Sequence, residues 1–129
     1  MNATGQWKVE LHGGGRRHNW RAVGTTPDAE RAGHQAQALL DRARQGGVRV
    51  VDPKGEVVFG YWLRHAPGAK PEPIRFCIGC GCDDFHACID PDNGGGSCSW
   101  LIWQLHHGVC SCCADAMPRW KAGELRLPA

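Results

Sequence analysis

Two pairs of cysteines with C-x2-C spacing are the residues of this chain best suited to chemistry. The first pair is Cys77 and Cys80, the second is Cys110 and Cys113, and 29 residues separate them. A C-x2-C turn presents two thiolates from one tight loop, and two such turns can together supply the four sulfurs that Zn²⁺ prefers in a closed structural site. The spacing therefore predicts one zinc ion bound by these four cysteines.

Three further cysteines lie between the two pairs and predict a second zinc site. They leave one ligand position open, and Cys112 is the plainest residue to fill it, since the first site does not need that thiol. Histidines of the same segment are alternative fourth ligands. The candidate ligands of the second site are Cys82, Cys88, Cys98, Cys112, His86, His106 and His107.

The cysteines are confined to one part of the chain, because all eight lie between Cys77 and Cys113. We expect no secretory signal and a cytoplasmic location, where thiols stay reduced and cysteine clusters more often bind metal than form disulfides. An iron-sulfur cluster and disulfides stay open as alternatives to zinc. A redox-active dithiol is less favoured, since no thioredoxin-like βαβ unit is visible in the pattern.

The order of these cysteines runs Cys77-x2-Cys80-Gly81-Cys82, then Cys88, Cys98-x-Trp100 and Cys110-Ser111-x-Cys113. Over residues 76–114 this order resembles a cysteine-rich module of small phage and prophage-encoded proteins. It is also similar to tails appended to ParB-like domains. The resemblance implies a zinc-binding module in a small mobile-element protein, and it implies no catalytic mechanism.

The cysteine-free part of the chain has the pattern of a small α+β domain. Period-two alternation predicts strands over residues 6–11 and 19–23, and a turn at 52–55 predicts a hairpin between strands 48–51 and 56–59. An alanine-rich apolar stripe predicts a helix in between. Its expected N-cap is Thr26, its expected first residue is Pro27, and Gly46-Gly47 should end it.

These elements define the expected architecture, a ββαββ two-layer sandwich over residues 1–66 followed by a zinc-ribbon-like, metal-stabilised module over 76–117. A proline-rich linker, 67–75, should join the two parts, and 118–129 should form a tail. Residues 1–71 carry a net charge of +5 and residues 72–129 one of −3. The expected core residues of the sandwich are Trp7, Trp20, Leu40, Val50 and Val58.

Two binding surfaces follow from the charged and aromatic residues. Arg16 and Arg17 in a glycine-rich loop, with Trp20 and Arg21 beyond it, could bind phosphates and stack on a base.

Trp100 and Trp103 belong to the most apolar stretch of the chain, which either packs on the first domain or binds a protein partner such as a host factor. We predict a protein-binding adaptor, with nucleic-acid binding as the alternative.

Enzymatic and membrane functions find little support in the sequence. The chain lacks a P-loop, a dinucleotide fingerprint and a G-x-S-x-G elbow, and no small-molecule substrate is indicated. Thiolates are abundant enough to close a zinc site, whereas a catalytic zinc keeps an open position. The longest apolar run, Trp100 to Trp103, is far below the roughly 20 residues of a membrane helix. We therefore predict a non-enzymatic zinc protein.

Overall fold

The computed structural model describes residues 5–13, 20–64 and 66–128, apart from the side chain of Asn93. Contacts divide the chain into two compact units, Met1–Pro73 and Ile74–Ala129, and the boundary falls within residues 67–75. The described elements are mixed α and β, with many strands and few helices. None of the described helices is long and apolar enough to cross a lipid bilayer.

The described part of the first unit contains a five-stranded antiparallel sheet and one helix. The elements in chain order are β1 Trp7–His12, β2 Arg21–Thr26, α1 Ala29–Arg42, β3 Gly46–Val51, β4 Val57–Leu63 and β5 Glu72–Pro73. In space the strands follow the order β2-β1-β3-β4-β5, so the two strands that flank the helix in sequence are separated by β1. The hairpin predicted between β3 and β4 is confirmed.

Helix α1 packs its alanine stripe against one face of the sheet. Ala32, Ala36 and Leu40 are buried on the helix, and they share one core cluster with Val9 and the two sheet valines Val48 and Val50. Small side chains let the helix backbone approach the strands closely, although each of them buries little apolar area. The predicted stripe is correct at these three positions.

The helix begins two residues later than predicted. Asp28 is the N-cap, and its carboxylate accepts a hydrogen bond from the backbone N–H of Glu30 at 3.0 Å. Thr26 instead ends β2, so Pro27 precedes the helix. At the other end the helix stops at Arg42. Because more than one residue in this segment can cap a helix, the sequence pattern alone does not identify the N-cap.

Gly46 and Gly47 belong to β3, although the pattern predicts them as the helix terminator. Gly47 pairs with His12, and a Cβ there would lie 2.5 Å from the ring of Trp20 and 2.8 Å from the ring of Trp62. Glycine is therefore required at this position because two aromatic rings cross the strand.

The predicted core is correct for Leu40 and Val50 and wrong for Val58, which is 48% exposed. Phe59 packs against the α1 core, so Val58 points to the opposite face of the sheet. Trp7 is only partly buried beside that core. Trp20 is half-buried on the opposite face, where its ring contacts His12.

The second unit is built from short strands and turns. The strands are β6 Phe76–Cys77, β7 Ile89–Asp90, β8 Gly96–Ser97, β9 Trp100–Gln104 and β10 His107–Cys110. Strands β6, β10 and β9 form one sheet in that order, with β6 parallel and β9 antiparallel to β10, and β7 pairs with β8. Two 3-10 segments, Pro91–Asn93 and Ser111–Ala116, and the helix α2 Met117–Lys121 complete the unit.

Ile74 and Phe76 of the second unit are fully buried, and cysteines make up most of a further buried cluster. Four of the seven buried members of that cluster are cysteines, and the full set is Cys77, Ile78, Cys82, Val109, Cys110, Cys113 and Ala116. Trp120 and Leu125 from the predicted tail pack against it. A core with so few aliphatic side chains depends on what its sulfur atoms bind.

Candidate metal centre

A tight turn positions the first three cysteines. The backbone N–H of Cys77 donates to the carbonyl of Cys82 at 2.8 Å, and that of Gly81 donates to the carbonyl of Cys77 at 2.9 Å. Gly81 has a φ of 83°, which a side chain would strain. The turn therefore brings the thiols of Cys77, Cys80 and Cys82 together.

Backbone N–H groups point at the sulfur of Cys77. The amides of Gly79 and Cys110 donate to it at 3.3 and 3.4 Å. Hydrogen bonds from the Cys80 and Cys82 thiols, with smaller contributions from the backbone N–H groups of Cys110 and Cys80, hold the pKa of Cys77 well below its usual range. The Cys77 sulfur thus has the surroundings of a thiolate ligand.

Strand β10 delivers Cys110 to this turn. Parallel pairing with β6 sets Gly108 opposite Cys77, and the N–H of Ile78 donates to the carbonyl of Gly108 at 3.0 Å. Cys110, at the end of the strand, then lies beside the cysteine turn. Burial raises the pKa of its thiol to about 12, so metal binding at neutral pH must displace that proton.

The β7–β8 hairpin positions the remaining two sulfurs. Cys88 and Cys98 flank this hairpin, and the N–H of Cys98 donates to the carbonyl of Cys88 at 2.8 Å. Asp90 fixes the hairpin to the segment after Cys110, because its carboxylate accepts from the hydroxyl of Ser111. That link draws Cys88 and Cys98 towards β10.

The outcome is two groups of four cysteines. In each group, all four sulfur atoms lie within 4.8 Å of one another. The first group is Cys77, Cys80, Cys82 and Cys110, and the second is Cys82, Cys88, Cys98 and Cys110. The prediction that this segment can bind metal is supported by both groups.

Distances between sulfurs match a metal site rather than disulfides. Cys80 and Cys110 lie 3.9 Å apart, Cys82 and Cys98 3.8 Å, and Cys88 and Cys110 3.8 Å. A regular tetrahedron with Zn–S bonds of about 2.3 Å places its sulfurs about 3.8 Å apart. A disulfide would join them at about 2.05 Å. All eight cysteines are free thiols in the structure.

The membership of the groups differs from the sequence-based pairing. Cys82, rather than Cys113, joins Cys77, Cys80 and Cys110, and Cys110, rather than Cys112, joins the other set. Cys112 is exposed, and its thiol donates to the carbonyl of Ile89 at 3.5 Å. Cys113 is buried beside the turn, where burial raises the pKa of its thiol. Spacing alone could not show that Cys82 faces both groups.

The histidines and carboxylates near the cysteines have structural partners. Nδ1 of His86 lies 2.9 Å from the buried carboxylate of Asp83, which also accepts from the N–H of Phe85 at 2.8 Å. Nδ1 of His106 lies 2.9 Å from the carbonyl of Ile74. Sequence reasoning missed the role of Asp83 in shaping the loop after Cys82, although aspartate is a residue type that often bonds the backbone N–H two residues further on, as here with Phe85.

Glycine at position 79 is required by the packing of the turn. A Cβ there would lie 2.6 Å from Cβ and 2.7 Å from Sγ of Cys113. We predict that Gly79→Ala destabilises the zinc-loaded unit by about 1 to 3 kcal/mol, because the turn must move away from Cys113. Urea-induced zinc release, followed with a zinc indicator, measures this. The control is Gly33→Ala, which meets nothing within 4 Å and should leave the release midpoint unchanged.

The two tryptophans predicted to bind a partner differ in their surroundings. The indole N–H of Trp100 donates to Asp84 at 3.0 Å, and its ring covers Gly108 so closely that a Cβ there would be 2.6 Å away. Trp103 is 57% exposed, and the guanidinium of Arg75 lies 4.6 Å from its ring centroid. Trp100 is therefore a packing residue, and Trp103 is accessible.

The predicted nucleic-acid surface is only partly visible. Arg16 and Arg17 lie outside the described residues. The guanidinium of Arg49 lies 4.6 Å from the centroid of the Trp20 ring, so that face of the ring is occupied. Arg21 is exposed at the start of β2. This surface stays a prediction from the sequence.

Comparison with protein-family models, with curated proteins and with solved structures gives no match to this chain. These comparisons do not show the resemblance of residues 76–114 to a phage module, whereas the cysteine cluster itself is present. The geometry of the cysteines is therefore the basis for the proposed function.

Proposed function

We propose that this chain is a non-enzymatic zinc-binding adaptor whose metal holds the second unit in shape. The observation that carries the proposal is the pair of cysteine groups, each with four sulfurs within 4.8 Å of one another. The proposal includes a ββαββ two-layer sandwich followed by a zinc-ribbon-like module. It extends to a cytoplasmic protein of phage or mobile-element origin, in line with the sequence pattern of residues 76–114.

Zinc is the metal that this donor set favours. Thiolates are soft ligands that suit Zn²⁺, and sulfur pairs at 3.8 to 3.9 Å fit its tetrahedral geometry. Each group already supplies four sulfurs, which would fill the coordination shell and leave no position for a substrate or water. A filled shell supports a structural role rather than catalysis.

Cobalt substitution tests the proposed coordination. Refolding the full chain with Co²⁺ in place of zinc should give intense sulfur-to-cobalt charge-transfer bands and visible bands of tetrahedral Co²⁺, and added zinc should abolish both because zinc binds such sites more tightly. A weak, octahedral cobalt spectrum would contradict the proposal. A brown chromophore in protein purified without added metal would instead support iron bound by the same thiolates.

The adaptor part of the proposal rests on the exposed side chains of β9. In the described part of the chain this strand is an edge of its sheet, with β10 on one side. Leu101 and Trp103 are 51% and 57% exposed, and Leu105 beyond the strand is 68% exposed. An apolar edge strand offers backbone hydrogen bonds and side-chain contacts to an extended segment of another protein.

We predict that Trp103→Ala abolishes partner binding while the fold persists, because this ring is exposed and aromatic rings dominate the energy of protein interfaces. Trp100→Ala should instead weaken the fold, since its ring packs over Gly108 and its N–H binds Asp84. Affinity capture with each variant, alongside zinc release in urea, separates the two effects. Capture that is unchanged by Trp103→Ala would contradict the assignment of this surface.

A further inference from the structure

Two cysteines belong to both metal-binding groups. The groups have four members each but contain only six different cysteines, because Cys82 and Cys110 occur in each of them. Both are deeply buried at 1% exposure, as is Cys77 of the first group, whereas Cys80 is exposed and Cys88 is half-buried. The membership of the groups therefore places the shared pair between the other four sulfurs.

The Cys110 sulfur lies close to sulfurs of both groups, and a single metal would not explain both short distances. Its Sγ lies 3.9 Å from that of Cys80, a member of the first group alone, and 3.8 Å from that of Cys88, a member of the second group alone. Both separations match the edge of a zinc–sulfur tetrahedron, which is about 3.8 Å. Cys110 therefore stands at a corner of two tetrahedra.

The sulfur of Cys82 likewise lies close to sulfurs of both groups. Its Sγ lies 3.8 Å from that of Cys98 in the second group. Its carbonyl also accepts the N–H of Cys77, which fixes it in the turn that carries the first group. Within that turn its sulfur is within 4.8 Å of those of Cys77 and Cys80.

We propose that the second unit binds two zinc ions in a single cluster, in which the thiolates of Cys82 and Cys110 each bind both metals. Cys77 and Cys80 complete the first zinc shell, and Cys88 and Cys98 complete the second. A thiolate sulfur has enough lone pairs to bind two metals, and six thiolates with two Zn²⁺ ions leave a formal charge of about −2. The inference rests on the proposed function, because it requires that the cysteines bind zinc.

The cluster needs neither Cys112 nor Cys113. Both thiols lie at the margin of the cluster and outside both groups. The exposed Cys112 thiol donates to the carbonyl of Ile89 and contacts Cys88, and the Cys113 thiol contacts Cys80 and Cys110 beside Gly79. Two separate four-cysteine sites would need both of these residues. Their substitution therefore distinguishes a shared cluster from separate sites.

The first test is made on the unmodified full chain loaded with ¹¹³Cd²⁺, a spectroscopic substitute for zinc. Native mass spectrometry should give two metals per chain, and the two cadmium resonances should show scalar coupling to each other through the shared sulfurs. Two uncoupled resonances, or a single metal per chain, would overturn the shared cluster while leaving zinc binding intact. Absence of any bound metal would overturn both proposals.

The second test compares cysteine-to-serine variants in the same mass measurement. Cys112→Ser should keep two metals and the coupling, whereas Cys110→Ser should lose the coupling and at least one metal. Loss of one metal from Cys112→Ser would overturn the shared cluster in favour of separate sites. If Cys110→Ser does not fold, Cys88→Ser serves instead, and retention of two coupled metals by that variant would overturn the assignment.

Discussion

Removing zinc from the full chain should unfold the second unit and leave the first folded. In a heteronuclear NMR spectrum, a chelator should collapse the amide resonances of residues 74–128 to the random-coil range. The resonances of residues 20–64 should keep their positions. This is the largest effect that we expect from any single treatment of the protein.

The reason lies in what each unit buries. Four of the seven buried residues in the cysteine-rich cluster of the second unit are cysteines, and three of the five strands in that unit have only two residues. Without metal, the buried thiols provide little apolar area. Neighbouring sulfurs raise the pKa of Cys82, and burial raises the pKa of Cys110 and Cys113, so these thiols resist ionisation. Metal binding and folding of such a unit form one equilibrium.

The first unit has no cysteine and contains a core of its own. Ala32, Ala36 and Leu40 of α1 pack against Val48 and Val50 of β3, and this contact does not involve sulfur. It serves as the internal control of the chelation experiment. Loss of both sets of resonances together, or a second unit that stays ordered without metal, would contradict the assignment of zinc as its structural element.

Replacing Asp83 with alanine should cost the zinc-loaded second unit about 3 kcal/mol. The carboxylate is 2% exposed, and it accepts hydrogen bonds from the N–H of Phe85 at 2.8 Å and from Nδ1 of His86 at 2.9 Å. Leaving a buried donor without its acceptor typically costs about 1 to 3 kcal/mol, and the Asp83 carboxylate serves two donors. The midpoint of zinc release in urea measures the loss, since Asp83 follows Cys82 directly.

Two control variants accompany Asp83→Ala. Asp83→Asn keeps an oxygen acceptor for both N–H groups and should lose less than Asp83→Ala. Asp115→Ala removes an exposed carboxylate and should change stability by less than about 0.5 kcal/mol. An Asp83→Ala variant as stable as Asp115→Ala would show that the pair with His86 does not shape the cysteine loop.

Sequence periodicity predicts local structure well where one face of an element is buried. The helix stripe at Ala32, Ala36 and Leu40 and the hairpin between β3 and β4 both follow from it. Periodicity does not predict which face of the sheet Val58 occupies, because a shift of one residue in a strand moves every side chain to the other face. Gly47 is likewise predicted as a helix end, because the sequence does not show that the rings of Trp20 and Trp62 pack against it.

The candidate metal centre could be predicted in its residue types but not in its grouping. C-x2-C spacing identifies Cys77 and Cys80 as ligands from one turn, and the same rule favours Cys113 as the partner of Cys110. The structure instead brings Cys82 to that position, because the turn closes through the hydrogen bond between Cys77 and Cys82. Such closure depends on backbone geometry, which spacing does not encode.

Metal content of the purified chain tests the central claim most directly. The full chain, purified without added metal, is measured by inductively coupled plasma mass spectrometry against its protein concentration. The account predicts two zinc ions per chain and no visible chromophore. A chain that is folded over residues 74–128 and contains neither zinc nor any other thiolate-bound metal would contradict it.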